Sequence, residues 1–255
     1  MTGMKFCRDR MGEFMSNKSR QFLLLLVLPF ALARASQTKP PKAVEAFPMS
    51  AGTSWTYRGI VRWTHHINKV SETSVEWKMG IRRLIHHGEY TGAVVSGFPG
   101  DLDWSDGSVK PVDSLLVRFR QEKFYLIPGE RFAESVQMLE NPNDPLKDLL
   151  NEDDLFLQLP LAQGKKFCGA EGMARPDSGY CWVVDSSKSV SLDNVIGAPT
   201  GPRTSYRIRY VTNPDDVDFD FVPGVGFVRY EYHHHGTVAD TELRLSEFRF
   251  APSPE

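Results

Sequence analysis

The chain has 255 residues and a formal net charge of −2 at neutral pH. Residues 1–35 carry a charge of +4, so the remainder of the chain carries −6. No cluster of Lys and Arg follows residue 35, which argues against nucleic acid as a partner. A chain of this length accommodates one large β domain or two small ones.

The N-terminus has the pattern of a secretory signal peptide over residues 1–35. Basic residues up to Arg20 precede the apolar segment Phe22–Ala33, and small residues follow. With 12 residues and an internal Pro29, this segment is shorter than the roughly 20 residues that a membrane-spanning helix needs. We expect cleavage before Ser36, a periplasmic or secreted product, and no transmembrane segment in the mature chain. A buried core helix is the alternative.

The composition divides the remaining chain into a linker, a domain and a tail. Residues 36–46 are rich in Pro, Lys and Ala and predict a linker. Residues 47–250 predict a single β-rich domain, and residues 251–255 a short tail. An alternative is that this domain consists of two similar halves, 47–158 and 159–250.

Short runs of β-branched and aromatic residues alternate with Gly, Pro, Asp and Asn clusters from Thr53 onward. This pattern predicts an all-β fold of about ten mainly antiparallel strands in a curved sheet, a half-barrel or a sandwich. Acidic and apolar residues alternate strictly from Asp216 to Phe221, which predicts one solvated and one buried face. One short helix is expected between Asp144 and Asn151. The predicted strands are 53–63, 74–85, 90–98, 115–120, 123–127, 180–184, 204–212, 217–222, 227–234 and 239–250.

A weak internal echo supports the two halves. The group Phe47-Pro48, Gly52 and Trp55 recurs with identical spacing as Leu159-Pro160, Gly164 and Phe167. In each copy, Pro sets a turn, Gly permits a tight turn, and the aromatic residue opens the strand that follows.

Of the three cysteines, Cys7 belongs to the expected signal peptide. Cys168 and Cys181 form an even pair in a compartment that permits oxidation, so we predict a disulfide between them. Two free thiols are the alternative, because two cysteines alone do not prove proximity.

Three motifs carry a resemblance to known proteins. They are FPxxxGxxWxY at 47–57, LPLxxG at 159–164 and VPGVGFV at 222–228, which includes the closing pattern PGVGxV. The chain resembles uncharacterised exported bacterial β proteins that share such opening and closing motifs. More remotely, it is similar to periplasmic lipoprotein carriers, whose half-barrel shelters acyl chains. The resemblance implies a curved sheet and an apolar ligand, but no activity.

All seven histidines lie in three runs, 65–66, 86–87 and 233–235. Neutral imidazole binds Zn, Cu and Ni, and alternate residues of a strand share a face. The metal-ligand candidates are therefore His65, His87, His233 and His235. Solvated strand ends beside turns are the alternative, because no companion Cys or Glu spacing accompanies the runs.

The Gly-rich segment Pro223-Gly224-Val225-Gly226 is interpreted as a structural turn. Pro fixes one φ and the two glycines permit conformations closed to other residues. It lacks the third glycine and the following helix of a dinucleotide fingerprint. A ligand-contacting loop is the competing interpretation.

Catalytic motifs are absent from the sequence: it has no GxSxG, HExxH, phosphate-binding loop or CxxC. The acidic groups that begin at Asp101 and Asp216 lack the Gly and Glu positions of a calcium loop. They are interpreted as a turn and a solvated strand face. No catalytic residue is assigned, and no cofactor is required.

Trp104 lies between Asp103 and Ser105 in a turn-like stretch and is the ligand-binding candidate. A ring tucked over the end of the sheet is the alternative. The sequence favours an exported, non-catalytic cell-envelope protein that binds an apolar ligand or an envelope protein. A His-dependent metal protein and a hydrolase with dispersed catalytic residues are the alternatives.

Overall fold

The computed structural model describes residues 46–66, 69–120 and 122–251. The expected signal peptide, and all but one residue each of the linker and the tail, lie outside the described residues. Twelve strands are present in the described part, so the all-β prediction is confirmed and the count of about ten is slightly low. The strands are β1 Ser54–His66, β2 Lys69–His87, β3 Tyr90–Ser96, β4 Asp113–Phe119, β5 Lys123–Ile127, β6 Leu155–Gln158, β7 Lys166–Phe167, β8 Trp182–Ser191, β9 Pro202–Val211, β10 Asp215–Val222, β11 Gly226–His234 and β12 Ala239–Arg249.

All twelve strands form one sheet in which neighbouring strands pair antiparallel. Consecutive strands are neighbours from β1 to β6 and again from β7 to β12, and β12 pairs with β1. The two edge strands, β6 and β7, lie beside each other. The sheet is therefore nearly closed and barrel-like, with a gap between β6 and β7 that we call the seam.

The seam is formed by the two strands that the sequence analysis missed. β6 has four residues and β7 has two, which is too short for an alternating pattern to stand out. Lys165, just before β7, donates from Nζ to the carbonyl oxygens of Gln158 at 3.0 Å and Pro160 at 2.8 Å. Its ammonium group thus binds carbonyls at the end of β6.

A cluster of aromatic rings fills one end of the sheet interior. Phe47 is buried and its ring centroid lies 5.5–6.1 Å from those of Trp55, Phe124, Phe221 and Phe227. These four rings come from β1, β5, β10 and β11. Phe47, which precedes β1, therefore packs against strands from both the first and the second half of the sheet. Aromatic pairs at such distances stabilise a core by about 0.5–1.5 kcal/mol beyond their buried area.

The face of β10 that was expected to be solvated is partly covered. Asp216 and Asp220 are 8% and 6% exposed. Arg209 lies 2.9 Å from Asp216, and Lys188 lies 3.4 Å from Asp220. The alternation of β10 is correct, but long cationic side chains from β8 and β9 cover its acidic face.

The helix expected between Asp144 and Asn151 is wrong. Leu146 has a φ of +55°, and the Oδ1 atom of Asp144 accepts from the Leu146 amide at 2.8 Å, so the chain turns there. The main helix, α1, spans Gly129–Glu140 and buries Val136 and Leu139 against the sheet. A five-residue helix, α2, spans Ala170–Ala174. Short 3-10 turns span Pro99–Leu102 and Glu152–Asp154.

The two copies of the sequence echo make the same backbone contacts. Gly52 and Gly164 have φ values of +88° and +80°. The Gly52 amide donates to the carbonyl of Ile81, and the Gly164 amide donates to that of Val184, each at 2.8 Å. The similarity of the halves 47–158 and 159–250 stays a prediction. Among the described residues, no helix has the length and apolar character to span a membrane.

Candidate functional site

An aromatic cleft opens inside the sheet near the seam, with a volume of about 370 Å³. We call it the inner cleft. Its walls come from β4, β5 and β6 on one side of the seam, from β8 to β11 on the other, from the 98–112 segment and from the start of α1. It is lined by Phe98, Gly100, Asp101, Asp103, Val112, Ser114, Leu126, Pro128, Gly129, Phe156, Trp182, Tyr210, Val217, Phe219 and Tyr230.

A second cavity of about 590 Å³, the outer pocket, lies at the seam itself. Trp182 and Tyr210 line both cavities. They are directly opposed across β8 and β9, and their ring centroids are 4.8 Å apart. These two rings form the shared wall. The outer pocket is lined by Glu152, Asp153, Leu155, Cys168, Gly169, Gly172, Arg175, Tyr180, Trp182 and Tyr210.

The two cavities differ in polarity. Charged side chains of both signs, including Asp153 and Arg175, line the outer pocket. Arg175 binds Asp177 at 2.8 Å, and its guanidinium lies over the ring of Tyr180. Burial, together with the charge of Asp153, raises the pKa of Tyr210. An amphipathic molecule could therefore place its apolar part in the inner cleft and a polar group toward the seam.

Asp103 and Tyr230 form a polar pair in the wall of the inner cleft. The hydroxyl of Tyr230 donates to the Oδ2 atom of Asp103 at 2.5 Å. The Oδ1 atom of Asp103 is buried and has no hydrogen-bond partner among the described residues. Burial raises the pKa of Asp103 to about 8, because a low-dielectric site disfavours the charged carboxylate. Burial also raises the pKa of Tyr230.

The 3-10 turn Pro99–Leu102 positions this pair. Leu102 is fully buried, and the Asp103 amide donates to the carbonyl of Gly100 at 3.1 Å. The Oδ2 atom of Asp101 accepts from the Val112 amide at 3.0 Å. Burial raises the pKa of Asp101 to about 6. Two carboxyl groups with raised pKa values thus line the same cleft.

The three histidine runs lie at different places. His65 lies at the end of β1 beside the start of β2, whereas His87 lies at the other end of β2 and pairs with Tyr90 of β3. His233 pairs with Asp240 at 3.1 Å, and His235 with Asp216 at 3.2 Å. Within the described ranges, no group of three or more His, Cys, Asp or Glu side chains could hold a metal ion. The structure therefore does not bring the four metal candidates together.

Trp104 does not line either cavity. It is 59% exposed, has a φ of +58°, and lies with its ring centroid 4.2 Å from that of His234. Asp103, the preceding residue, lines the inner cleft. The ligand-binding role of Trp104 stays a prediction.

Cys168 and Cys181 form a disulfide, with Cα atoms 4.8 Å apart. The bond ties the segment after β7 to the residue before β8. Cys168 also lines the outer pocket. The cross-link therefore holds one wall of the seam.

The glycines of the Pro223–Gly226 turn adopt left-handed conformations. Gly224 and Gly226 have φ values of +83° and +98°. The Gly224 amide donates to the carbonyl of Ala46 at 2.9 Å, and a Cβ on Gly226 would lie 3.3 Å from Nε1 of Trp55. These contacts favour the structural interpretation.

Asp101, Asp103 and Tyr230 were not assigned to a site from the sequence. Asp101 and Asp103 were interpreted as a turn. A usable signal was present in β11, because Tyr230 falls on its inward face and a buried tyrosine hydroxyl needs a polar partner. The identity of that partner, 127 residues away, was beyond local pattern analysis.

Comparison with protein-family models and with curated proteins finds no match. Among solved structures, the chain is similar to an inferred exported protein of Bacteroides fragilis with a YmcC-like fold, at 12% identity, with 80% of this chain and 98% of that chain covered and a TM-score of 0.38. It is also similar to an inferred lipoprotein of Parabacteroides distasonis, at 12% identity, with 80% and 97% covered and a TM-score of 0.34. MucB matches at 8% identity, with 79% and 55% covered and a TM-score of 0.26. At these TM-scores the similarities define neither a family nor a ligand.

Proposed function

We propose that the protein is an exported, non-catalytic binding protein of the bacterial cell envelope that holds an amphipathic molecule at the seam. The observation that carries the proposal is the aromatic inner cleft, which shares Trp182 and Tyr210 with the more polar outer pocket. Ligand sites are typically concave and mainly apolar, with a few placed polar groups. The pair of Asp103 and Tyr230 supplies such groups.

Two observations support an extracytoplasmic location. Disulfides persist in oxidising compartments and are rare in the cytosol, and the structure contains the bond between Cys168 and Cys181. The basic and then apolar pattern of residues 1–35 is typical of export. Both agree with a periplasmic or secreted protein.

The shape of the inner cleft explains why an apolar body would bind there. Phe98, Phe156, Phe219 and Trp182 present rings to the space. Burying apolar ligand surface against them yields about 25 cal/mol per Å². The rings are fixed by packing on each other, as in the 4.8 Å contact of Trp182 with Phe219, so little ordering is needed when the ligand binds.

A variant that fills the cleft tests the proposal. Val217 lies on β10 and lines the inner cleft, so Val217→Trp should occupy the space. We expect at least a tenfold loss of affinity for the neutral fluorescent probe 1-N-phenylnaphthylamine, measured by fluorescence titration. The control is Val70→Trp, because Val70 is exposed on β2 and lines neither cavity. Equal binding by both variants, or no binding by the parent protein, contradicts the proposal.

A further inference from the structure

The charged side chains in the inner cleft are all acidic. Asp101 and Asp103 line it, and none of the described residues that line it is basic. Aromatic rings, among them Phe98, Trp182 and Tyr230, form much of the remaining wall. Acidic groups beside ring faces are the chemistry that attracts an organic cation, because the face of an aromatic ring carries partial negative charge.

The largest influences on the carboxyl of Asp103, apart from burial, come from two acidic side chains, Asp215 and Asp101, and from the neutral hydroxyls of Tyr230 and Thr241. Tyr232 of β11 also faces it and is neutral. Arg82 binds Asp113 at 2.9 Å, and the ring of His234 contacts Asp215 at 2.8 Å, so both have an acidic partner other than Asp103.

The carboxyl of Asp103 is only partly hydrogen-bonded, and its Oδ1 atom is buried. It has no hydrogen-bond partner among the described residues, although a buried polar atom left unpaired costs about 1–3 kcal/mol. The buried carboxylate can be compensated in two ways, by binding a proton or by contact with a cation that a ligand supplies. Burial raises the pKa of Asp103 to about 8, which favours the protonated acid at neutral pH, so a bound cation would take the place of that proton.

We propose that the ligand carries a positively charged nitrogen, which lies against the carboxyls of Asp103 and Asp101 while its apolar part packs on the rings of the inner cleft. This inference rests on the proposed function and names the class of ligand. It also disfavours fatty acids and other anionic amphiphiles, because their carboxylate would be repelled by the ionised carboxyls of Asp101 and Asp103.

Cation binding must be linked to the ionisation of Asp103. Its pKa is about 8, so at pH 6 nearly all of the protein carries the neutral acid. Below the pKa, each pH unit lowers the ionised fraction about tenfold. The affinity for a cation of fixed charge should therefore rise with pH, whereas that for a neutral molecule of the same length should not.

The test uses three probes of equal chain length in isothermal titration calorimetry at pH 6 and pH 9. They are octylammonium, whose N–H groups can donate and which stays charged from pH 6 to pH 9, 1-octanol and octanoate. At pH 9 we expect the ammonium to bind at least tenfold more tightly than octanol, and octanoate most weakly. Between pH 6 and pH 9 the Kd of the ammonium should fall at least tenfold.

Asp103→Asn keeps the shape of the side chain and removes its charge. At pH 9 it should weaken ammonium binding at least tenfold and leave octanol binding within about twofold. Asp106→Asn is the matched control, because Asp106 lies in the same loop, is exposed and binds Ser108.

Equal affinity for octanol and the ammonium, or tighter binding of octanoate, would overturn the cationic ligand while leaving the proposed apolar site in place. An ammonium affinity unaffected by pH or by Asp103→Asn would do the same. If none of the three probes binds at either pH, both the cationic ligand and the proposed function fail.

Discussion

The Nε1 atom of Trp55 donates to the carbonyl oxygen of Val225 at 2.6 Å, across 170 residues of sequence. Trp55 is the second residue of β1, and Val225 lies in the turn between β10 and β11. Both residues are fully buried. The bond joins the first strand of the sheet to a hairpin near the end of the chain, at the level of the aromatic core.

Trp55→Phe should therefore lower stability although it keeps an aromatic ring. The carbonyl of Val225 would be left buried without its donor, at a cost of about 1–3 kcal/mol, in addition to the lost ring volume. Urea unfolding followed by circular dichroism measures the change. Trp63→Phe is the control, because Trp63 is only partly buried and lies at the far end of β1. If both variants lose the same unfolding free energy, the loss comes from packing and not from the hydrogen bond to Val225.

The turn that holds Val225 yields a second prediction. Gly224→Ala and Gly226→Ala each place a Cβ on a residue with positive φ, and the left-handed conformation costs about 1–2 kcal/mol with a side chain. Thermal unfolding should show a lower Tm for both. Gly80→Ala serves as the control, since its Cβ would lie 3.7 Å from the nearest atom and its φ is not positive. An unchanged Tm in both turn variants would contradict the structural role and favour the alternative interpretation, in which the turn contacts a ligand.

The elements that could be predicted from sequence are those with a long alternating pattern. β10 and β12 were placed within a few residues of their observed bounds, because each alternates apolar and polar side chains. β5 was placed at its observed bounds as a short run rich in aromatic and branched residues. α1 was missed although Phe132, Val136 and Leu139 have helical spacing. The stronger-looking start signal at Asp144-Pro145 was followed instead, and there the Asp side chain closes a turn.

The candidate site was beyond sequence analysis for a different reason. Its walls come from seven strands, the 98–112 segment and the start of α1, and its polar pair joins Asp103 to a tyrosine 127 residues later. Local patterns report the face on which a residue lies, but not which residue it meets across a curved sheet. Trp104 illustrates the limit: its neighbour Asp103 lines the cleft, whereas its own ring contacts His234.

The disulfide provides a third prediction. Cys168 and Cys181 are 13 residues apart, and a loop of this size contributes about 3 kcal/mol in the chain-entropy model. A double variant with Ser at both positions should lose about 2–4 kcal/mol of unfolding free energy. Urea titrations with and without reductant measure it. The parent protein should move toward the variant on reduction, and the variant should not respond; a reductant-insensitive parent would contradict the prediction.

The last prediction concerns the effect of pH on stability through Asp103. Its pKa is about 8 in the folded protein and about 4 in an unfolded chain. Between these values the folded state holds a proton that the unfolded state has released. The contribution of Asp103 to stability is therefore complete below about pH 4 and is lost as the pH rises through 8, by up to about 1.4 kcal/mol per pH unit.

Asp103→Asn cannot ionise, yet its amide oxygen can still accept from the Tyr230 hydroxyl. The unfolding free energy of the variant should fall less than that of the parent between pH 5 and pH 9, so that the variant is the more stable protein at pH 9. Urea unfolding at pH 5, 7 and 9 measures the unfolding free energy of both proteins. Subtracting the variant from the parent at each pH removes the contributions of the other titrating groups, because both proteins share them. Asp106→Asn should follow the parent, because hydrogen bonds from Ser108 lower the pKa of Asp106 and keep its ionisation below this range. If the unfolding free energies of parent and Asp103→Asn change with pH in parallel, Asp103 is ionised in the folded protein over the whole range. The prediction that the folded state binds a proton there would then be wrong.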